Sequence, residues 1–317
     1  MRAVLTSKTC VTPARIGFSM VELVVAIAII GTLLAILLPA VQSARGSARR
    51  LTCESHLRQL IIAAHSYQEV HSVYPVSMFP FRRLLPFVEQ SAVYERLERG
   101  ESTDLAVALY LCPDDPQGQS SEGNVSYLIN NGSGKVDFVF PNRIYDGVCP
   151  GAGLWSRPRD ITDGLSQTAF FSERKIVPND LEITTEMTAA DPNRYIWYLE
   201  RSFTLPLEFA GFRDACSTAR TTAVPHLPAP SQYYLQQDLG YNHALTPNLA
   251  GCHNGVSTSV PPYIDVHYSI LPPTSFHTSG VNVAFADGHV RFVSDNIDAL
   301  LWQAISTRNS NESVGDF

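Results

Sequence analysis

The sequence predicts an α+β protein: a long N-terminal helix, a series of short β-rich pieces with long loop insertions, and a C-terminal hairpin followed by a helix. Three observations carry this expectation. Residues 23 to 41 contain no charge, and helix-forming sequence continues past them with no proline between Pro39 and Pro75. Short runs rich in Val, Ile, Tyr and Phe alternate with turn residues through the middle of the chain. Near the end, Asp287-Gly288 separates two alternating runs, and an apolar helical pattern follows.

The 317 residues suffice for one large domain or two small ones. A hydrophobic fraction of 45% with 17% charged residues fits a globular chain plus a membrane segment. The net charge of −7 and the lack of a basic stripe argue against a nucleic-acid partner. Six cysteines, Cys10, Cys53, Cys112, Cys149, Cys216 and Cys252, form no C-x-x-C pair, which argues against a zinc ribbon. Five lie beyond Gly17, so export of that part would permit disulfides. Their connectivity is not readable from sequence. Cys216 with Cys252 is the first expectation, because turn-rich sequence lies between them.

The first element is the apolar run. As a helix, residues 23 to 41 span about 28 Å, close to the thickness of a hydrocarbon core. A buried core helix is a poor explanation, since soluble helices are rarely apolar on every face. A secretory signal peptide fits the basic Arg2, Lys8 and Arg15, and the "VQSA" stretch offers a cleavage site. The run nevertheless exceeds the usual h-region, and Glu22 is badly placed for one. A plain membrane anchor explains the length but not the flanking "GFSMVE". Arg45, Arg49 and Arg50 make the second flank basic too, so charge alone does not orient the helix.

The residues "G-F-S-M-V-E" ahead of an apolar helix resemble the class III signal of type IV prepilins and type II secretion pseudopilins. The resemblance implies a leader at 1–17, removed by prepilin peptidase between Gly17 and Phe18, with N-methylation of Phe18. It implies a transmembrane part of the helix at 18–44 and an exported domain at 45–317. It places the protein in the inner (cytoplasmic) membrane as a single-pass chain, N-terminus cytoplasmic and C-terminal domain periplasmic or extracellular. Other pilin-like subunits and inner membrane lipid are the implied partners, alongside the peptidase. The resemblance also implies an assembly role for Glu22 and a helix kink at Pro39. Physical chemistry agrees with the first of these. A lone carboxylate in hydrocarbon costs about 2.5–3.5 kcal/mol on insertion scales. Cleavage creates a partner for it, the α-ammonium of a processed neighbour. The alternative for Glu22 is simple snorkelling to the interface.

The next stretch, "SARRLTCESHLRQLIIAAHSYQEVHSVYP", repeats apolar residues at Leu57, Leu60, Ile61 and Ala64, which makes one helix face apolar. The pilin resemblance implies that this second half continues the membrane helix and packs on an antiparallel sheet, giving a pilin-like α+β fold. "FRRLLPFVEQSAVYERL" reads as one or two short helices, and "LYLCPDDP" as a strand end running into a turn. "NVSYLINNG", "KVDFVF", "TAFFSER" and "RYIWYLERSF" read as strands. Residues 219 to 273, rich in Pro, Ser, Thr, Asn and His, read as long loops. In "VNVAFADGHVRFV", Val281, Val283 and Phe285 share a face, Val290 and Phe292 follow, and a two-residue type I′ turn at Asp287-Gly288 is expected. "DNIDALLWQAI" places Ile297, Leu300, Leu301, Ala304 and Ile305 on one helix face. The last dozen residues are expected to fray.

His277 and Asp287 are separated by nine residues, and Gly288 follows. With "SFHTSGVNVAFADGHVRF", this ending resembles the H-x9-DG motif of a large family of pilin-like proteins whose domain has no known function. "ESHLRQLIIAAHSYQEVHSVYP", "LLPFVEQ", "LCPDDP" and "ITDGLSQTAFFSE" add to the resemblance, which covers nearly the whole chain after Gly17. His289 and Gln167 depart from the family's usual residues.

The remaining candidates for chemistry are weak. His277 and Asp287 suggest a catalytic or metal pair, but a hydrogen bond across the hairpin entry is the expectation. Ser275, His277 and Asp287 lack a G-x-S-x-G elbow. His243, Cys252, His253 and His267 match no zinc spacing. "RDITDG" offers Asp160 and Asp163 to calcium but does not fit an EF-hand loop. The reading is therefore a non-enzymatic pilin- or pseudopilin-like structural subunit with no catalytic residues, no metal site and no required cofactor. The alternative is a membrane-tethered surface binding protein exported by the same signal.

Overall fold

The computed structural model describes residues 20–76, 79–101, 106–116, 125–139, 142–151, 153–176, 185–199, 201–205, 207–218, 222–224, 240–255 and 269–312. Contacts divide the chain into two units, Met1–Ser47 and Ala48–Phe317. One helix, α1 (Met20–His71), contains the boundary. Pro39 lies inside it. The missing N–H of Pro39 leaves the Ala35 carbonyl without its helical partner. In the first unit α1 exposes apolar side chains on every face, from Val21 and Leu23 to Leu38 and Val41. In the second unit it buries a stripe: Cys53, Leu57, Leu60, Ile61, Ala64 and Tyr67. The helix stops where Ser72 turns left-handed (φ 63°) and its N–H bonds the Gln68 carbonyl at 2.7 Å.

The stripe packs into a core with the first sheet. That sheet has the order β11-β10-β4-β1-β7, with β1 Tyr127–Asn130, β4 Ala169–Glu173, β7 Gly240–Tyr241, β10 Gly280–Phe285 and β11 Val290–Ser294. All neighbours are antiparallel except β1 and β7, which run parallel. The α+β class therefore holds, but the sheet is mixed. β7 is reached only after a long connection, which is what a parallel pair needs. A ribbon of β2 (Val136–Val139) and β3 (Asn142–Tyr145) stands apart from this sheet. The "FRRLLP" region forms α2 (Pro80–Leu84), a 3₁₀ turn at Leu85–Val88 and α3 (Ser91–Glu98). "LYLCPDDP" begins as a 3₁₀ turn at Ala108–Tyr110 rather than a strand.

A second sheet, β6-β5-β8-β9, is built from β5 Ile196–Tyr198, β6 Thr222–Val224, β8 Gly251–His253 and β9 Ser269–Ile270. Three of its strands come from the stretch expected to be loops. They are two or three residues long, too short for an alternating pattern, and pairing alone defines them. Helix α5 (Phe209–Thr218) covers this sheet with Phe212 and Cys216, after the short α4 (Thr185–Ala190).

The C-terminal hairpin forms with a different turn from the expected one. Gly288 N–H bonds the Phe285 carbonyl at 3.0 Å, and Phe285 N–H bonds the His289 carbonyl at 2.9 Å. Gly288 has φ +102°, whereas Asp287 does not have positive φ. This is a three-residue connection with glycine in the left-handed position, where side chains are disfavoured. Both faces of β10 are buried, because it is an inner strand.

Helix α6 (Ala299–Ala304) starts one residue after Asp298, whose carboxylate accepts from Leu300 and Leu301 N–H. The expected face forms at Ile297, Leu301, Ala304 and Ile305, which pack on the core, while that start turns Trp302 inward as well and leaves Leu300 76% exposed. The tail does not fray at once: Arg308 donates to the Tyr145 and Gly147 carbonyls (2.5 and 2.6 Å), and Asp163 accepts from Ser310 and Asn311 N–H. Buried carbonyls that need a donor account for this anchoring.

His243 is wholly buried, stacks on Trp302 at 3.7 Å and donates from Nδ1 to the Trp302 carbonyl at 2.6 Å. Burial pulls its pKa down to about 3, against a smaller upward pull from that hydrogen bond. The folded imidazole is thus neutral, while the unfolded one takes up a proton below about pH 6.5. Stability is complete above that value and falls as pH drops towards 3, by about 1 kcal/mol per pH unit from this residue. Urea unfolding of wild type and His243→Gln between pH 7 and pH 4 checks this. The gap in stability between the two narrows with acidification, and a constant gap would contradict the assignment.

Candidate functional site

The N-terminal unit carries a carboxylate at the start of its apolar surface. Glu22 lies in the first turn of α1 and is exposed, among Val21, Leu23, Val24 and Val25, which are also exposed. Gly17 and Phe18 lie outside the described residues. This helix is long and apolar enough to cross a membrane.

The head gathers its buried polar chemistry around His277. This residue sits in the turn leading into β10, with its side chain 2% exposed. Nδ1 lies 2.9 Å from Asp114 Oδ2, and Nε2 lies 3.1 Å from Glu173 Oε1. The backbone fixes the loop: His277 N–H bonds Ser275 Oγ, and that hydroxyl donates to the Gly280 carbonyl. Glu173 ends β4, and both its oxygens are held by Asn282 of β10, through the backbone N–H at 2.8 Å and the side-chain amide at 3.0 Å. Asp114 is paired in turn with Arg49 of α1. Burial lowers the imidazole pKa, but the hydrogen bonds and charges of Glu173 and Asp114 outweigh it, so His277 is held above the usual histidine range. A positive imidazole between two carboxylates is what such burial requires.

A disulfide closes the same corner. Cys53 of α1 is bonded to Cys112, and Cys112 Sγ lies 3.8 Å from His277 Nε2. The stretches "TCESHL", "LCPDDP", "AFFSE" and "SFHTSG", separate in sequence, thus meet at one point. Glu173, Asp114 and the Cys53–Cys112 pair were not singled out by spacing. The available signal was that charged or sulfur residues sat inside otherwise apolar pieces.

His277 and Asp287 have separate partners, so no hydrogen bond crosses the hairpin entry between them. Asp287 Oδ1 accepts from His289 N–H at 3.1 Å and faces His289 Nδ1 at 2.6 Å. The neighbouring Ala286 carbonyl accepts from His65 Nε2 of α1 at 2.8 Å, which docks the turn on the helix. The reason is geometric: β10 lies between the two motif residues and carries them to opposite ends of the sheet.

The other candidates are also dispersed. Cys216 and Cys252 form a disulfide between α5 and β8. His243 belongs to the Trp302 stack, and His267 lies outside the described residues. Asp160 accepts from Arg157 N–H, while Asp163 holds the C-terminal tail. Cys149 keeps its thiol, 2.6 Å from the Val76 carbonyl.

A family model described as a protein of unknown function (DUF1559) matches residues 42–300. A model of the prokaryotic N-terminal methylation motif matches residues 13–38. No curated protein and no solved structure matches the chain.

The geometry separates the two halves of the H-x9-DG ending. His277→Ala leaves two buried carboxylates without their shared cation and is expected to cost about 3–5 kcal/mol. Asp287→Ala removes a turn hydrogen bond at a half-exposed position and is expected to cost about 1 kcal/mol. Chemical denaturation of both variants checks this, and equal losses would contradict it.

Proposed function

Since the chain belongs to the DUF1559 family and carries a prokaryotic N-terminal methylation motif, we propose that it is a pilin- or pseudopilin-like structural subunit without enzymatic activity. The observation that carries this reading is α1 itself, a single helix whose first part is apolar all round and whose second part is built into the head. Prepilin peptidase cuts between Gly17 and Phe18, and Phe18 becomes the methylated N-terminus. Residues 18–44 stay in the inner membrane with their N-terminus cytoplasmic, and residues 45–317 lie outside it.

Glu22 supplies the selectivity of assembly. Its carboxylate is costly in lipid on its own and tolerable beside the α-ammonium of a processed neighbour. Pro39 removes one backbone bond late in the apolar run, which allows the helix to bend there as it packs into a fibre of type II secretion or type IV pilus kind. Lipid contacts the remaining apolar surface until subunits replace it. An unprocessed neighbour offers no amine at this depth, so leader removal becomes a condition for joining the fibre.

Glu22→Ala tests the reading. Mass spectrometry of the mature protein is expected to show the same methylated Phe18 start as wild type. Cross-linking between cysteines engineered into the apolar half of α1 is expected to fall at least about tenfold. Wild-type cross-linking in this variant would count against an assembly role, and a retained Met1 start would count against the whole reading.

A further inference from the structure

The corner around His277 has the composition of a metal site as well as that of a structural hub. The sulfurs of Cys53 and Cys112, one nitrogen of His277 and one oxygen of Glu173 all lie within 4.8 Å of one another, and all four residues are buried. Tetrahedral zinc with ordinary bond lengths sets its nitrogen and oxygen ligands about 3.3 Å apart and its nitrogen and sulfur ligands about 3.5 Å apart. The corresponding distances are 3.1 Å from His277 Nε2 to Glu173 Oε1 and 3.8 Å to Cys112 Sγ. Two of the four ligands therefore already stand at coordination spacing, and a third is close to it.

The surroundings fit the same use. Asp114 engages His277 Nδ1, which directs Nε2 towards the other three ligand atoms, and Arg49 holds Asp114 in turn. A carboxylate behind a histidine is the usual support of a metal ligand. Asn282 fixes Glu173 by two hydrogen bonds. The edge between Nε2 and Oε1 faces a lone pair with a carboxylate, so it needs a positive centre. A proton supplies this while the cysteines are joined. A small pocket lined by Cys112, Glu173, Arg174 and Ser275 reaches the site, with the partly exposed Lys175 and Phe276 at its rim. The buried Arg174 also lines this pocket, with its guanidinium donating to the Pro272 carbonyl at 2.7 Å.

We propose that reduction of the Cys53–Cys112 disulfide converts this corner into a tetrahedral zinc site, with Cys53 Sγ, Cys112 Sγ, His277 Nε2 and Glu173 Oε1 as ligands. A dithiol donor supplies two electrons and two protons, the S–S bond breaks, and the donor closes to its own disulfide. Zinc then displaces the protons of the two thiols and of Nε2 and binds the resulting lone pairs. The head thus exchanges a disulfide between α1 and the segment after Ala108–Tyr110 for a metal clamp that also takes in Glu173 of β4. This inference does not depend on assembly into a fibre.

The test uses full-length processed protein in detergent, with Co²⁺ as the spectroscopic probe and Zn²⁺ as its competitor. The protein is reduced by a phosphine, which leaves as its oxide, and is desalted without air. One equivalent of Co²⁺ is expected to bind, with thiolate-to-cobalt absorption in the near ultraviolet and tetrahedral ligand-field bands that Zn²⁺ abolishes. Oxidised protein is expected to show neither. Cys53→Ser with Cys112→Ser should lose the bands, whereas Cys216→Ser with Cys252→Ser should keep them. His277→Gln and Glu173→Gln should each weaken Co²⁺ binding at least about tenfold, and Asp114→Asn by about 10–100-fold. The proposal is overturned by reduced, folded protein that takes up no Co²⁺, or by bands that survive loss of Cys53 and Cys112. If reduction unfolds the head, Zn²⁺ must restore its far-ultraviolet circular dichroism, and failure to do so overturns the proposal equally.

Discussion

The second half of α1 can persist beside water only with its apolar stripe covered, and the head is organised around that need. Cys53, Leu57, Leu60, Ile61 and Ala64 are covered by a core that includes Phe170 and Phe171 of β4 and Val281, Val283 and Phe285 of β10. Both strands are inner strands, so their other faces are buried as well. Every polar group they carry must then find a partner inside the protein. Ser172 donates to the Asn282 carbonyl, Asn282 holds Glu173, Glu173 faces His277, His277 meets Asp114, and Asp114 pairs with Arg49. The chain of partners begins in the sheet and ends on α1. Covering an apolar stripe has thereby created a continuous polar chain from the sheet to the helix.

The region rich in proline and histidine solves a different problem. Its strands are too short to make a stable sheet by pairing alone. Helix α5 supplies an apolar cover, and the Cys216–Cys252 bond fastens that cover to β8. His243 and Trp302 make a further link. The indole N–H reaches the Leu245 carbonyl at 2.9 Å, and the imidazole returns a bond to the Trp302 carbonyl. A neutral histidine suits this position, since it can donate once and still stack as an aromatic ring.

Legibility in the sequence followed the length of each pattern. The apolar run, the stripe at Leu57 to Ala64 and the alternation around Asp287-Gly288 each extend over many residues, and each corresponds to an element of the structure. The turn type did not follow from the dipeptide, because Asp-Gly fits both a two-residue loop and the three-residue connection that forms. One position of the α6 face departed for a related reason: a helix of six residues takes its phase from its cap, Asp298, which leaves Leu300 outside while Ile297, Leu301, Ala304 and Ile305 pack on the core. The buried site was the hardest to foresee. Glu173 and Asp114 look like ordinary surface carboxylates in one dimension, and only the pairing of β4 with β10 makes Glu173 an interior group. The residues of the site were thus visible as members of quoted motifs, while their convergence was a property of strand order.

Strand order also explains why the H-x9-DG ending has that length. His277 precedes β10 and Asp287 follows it. Six residues of extended strand reach about 20 Å, roughly the depth of the sheet. At one end, His277 ties the strand to Asp114 and through it to Arg49 of α1. At the other, the Ala286 carbonyl ties the turn to His65 of the same helix. Arg49 and His65 are sixteen positions apart in α1, about 24 Å of helix. The spacing in the motif is therefore a ruler: it sets a strand long enough to pin α1 at two points about four turns apart. A deletion inside it would release one end or the other, whichever residues were removed.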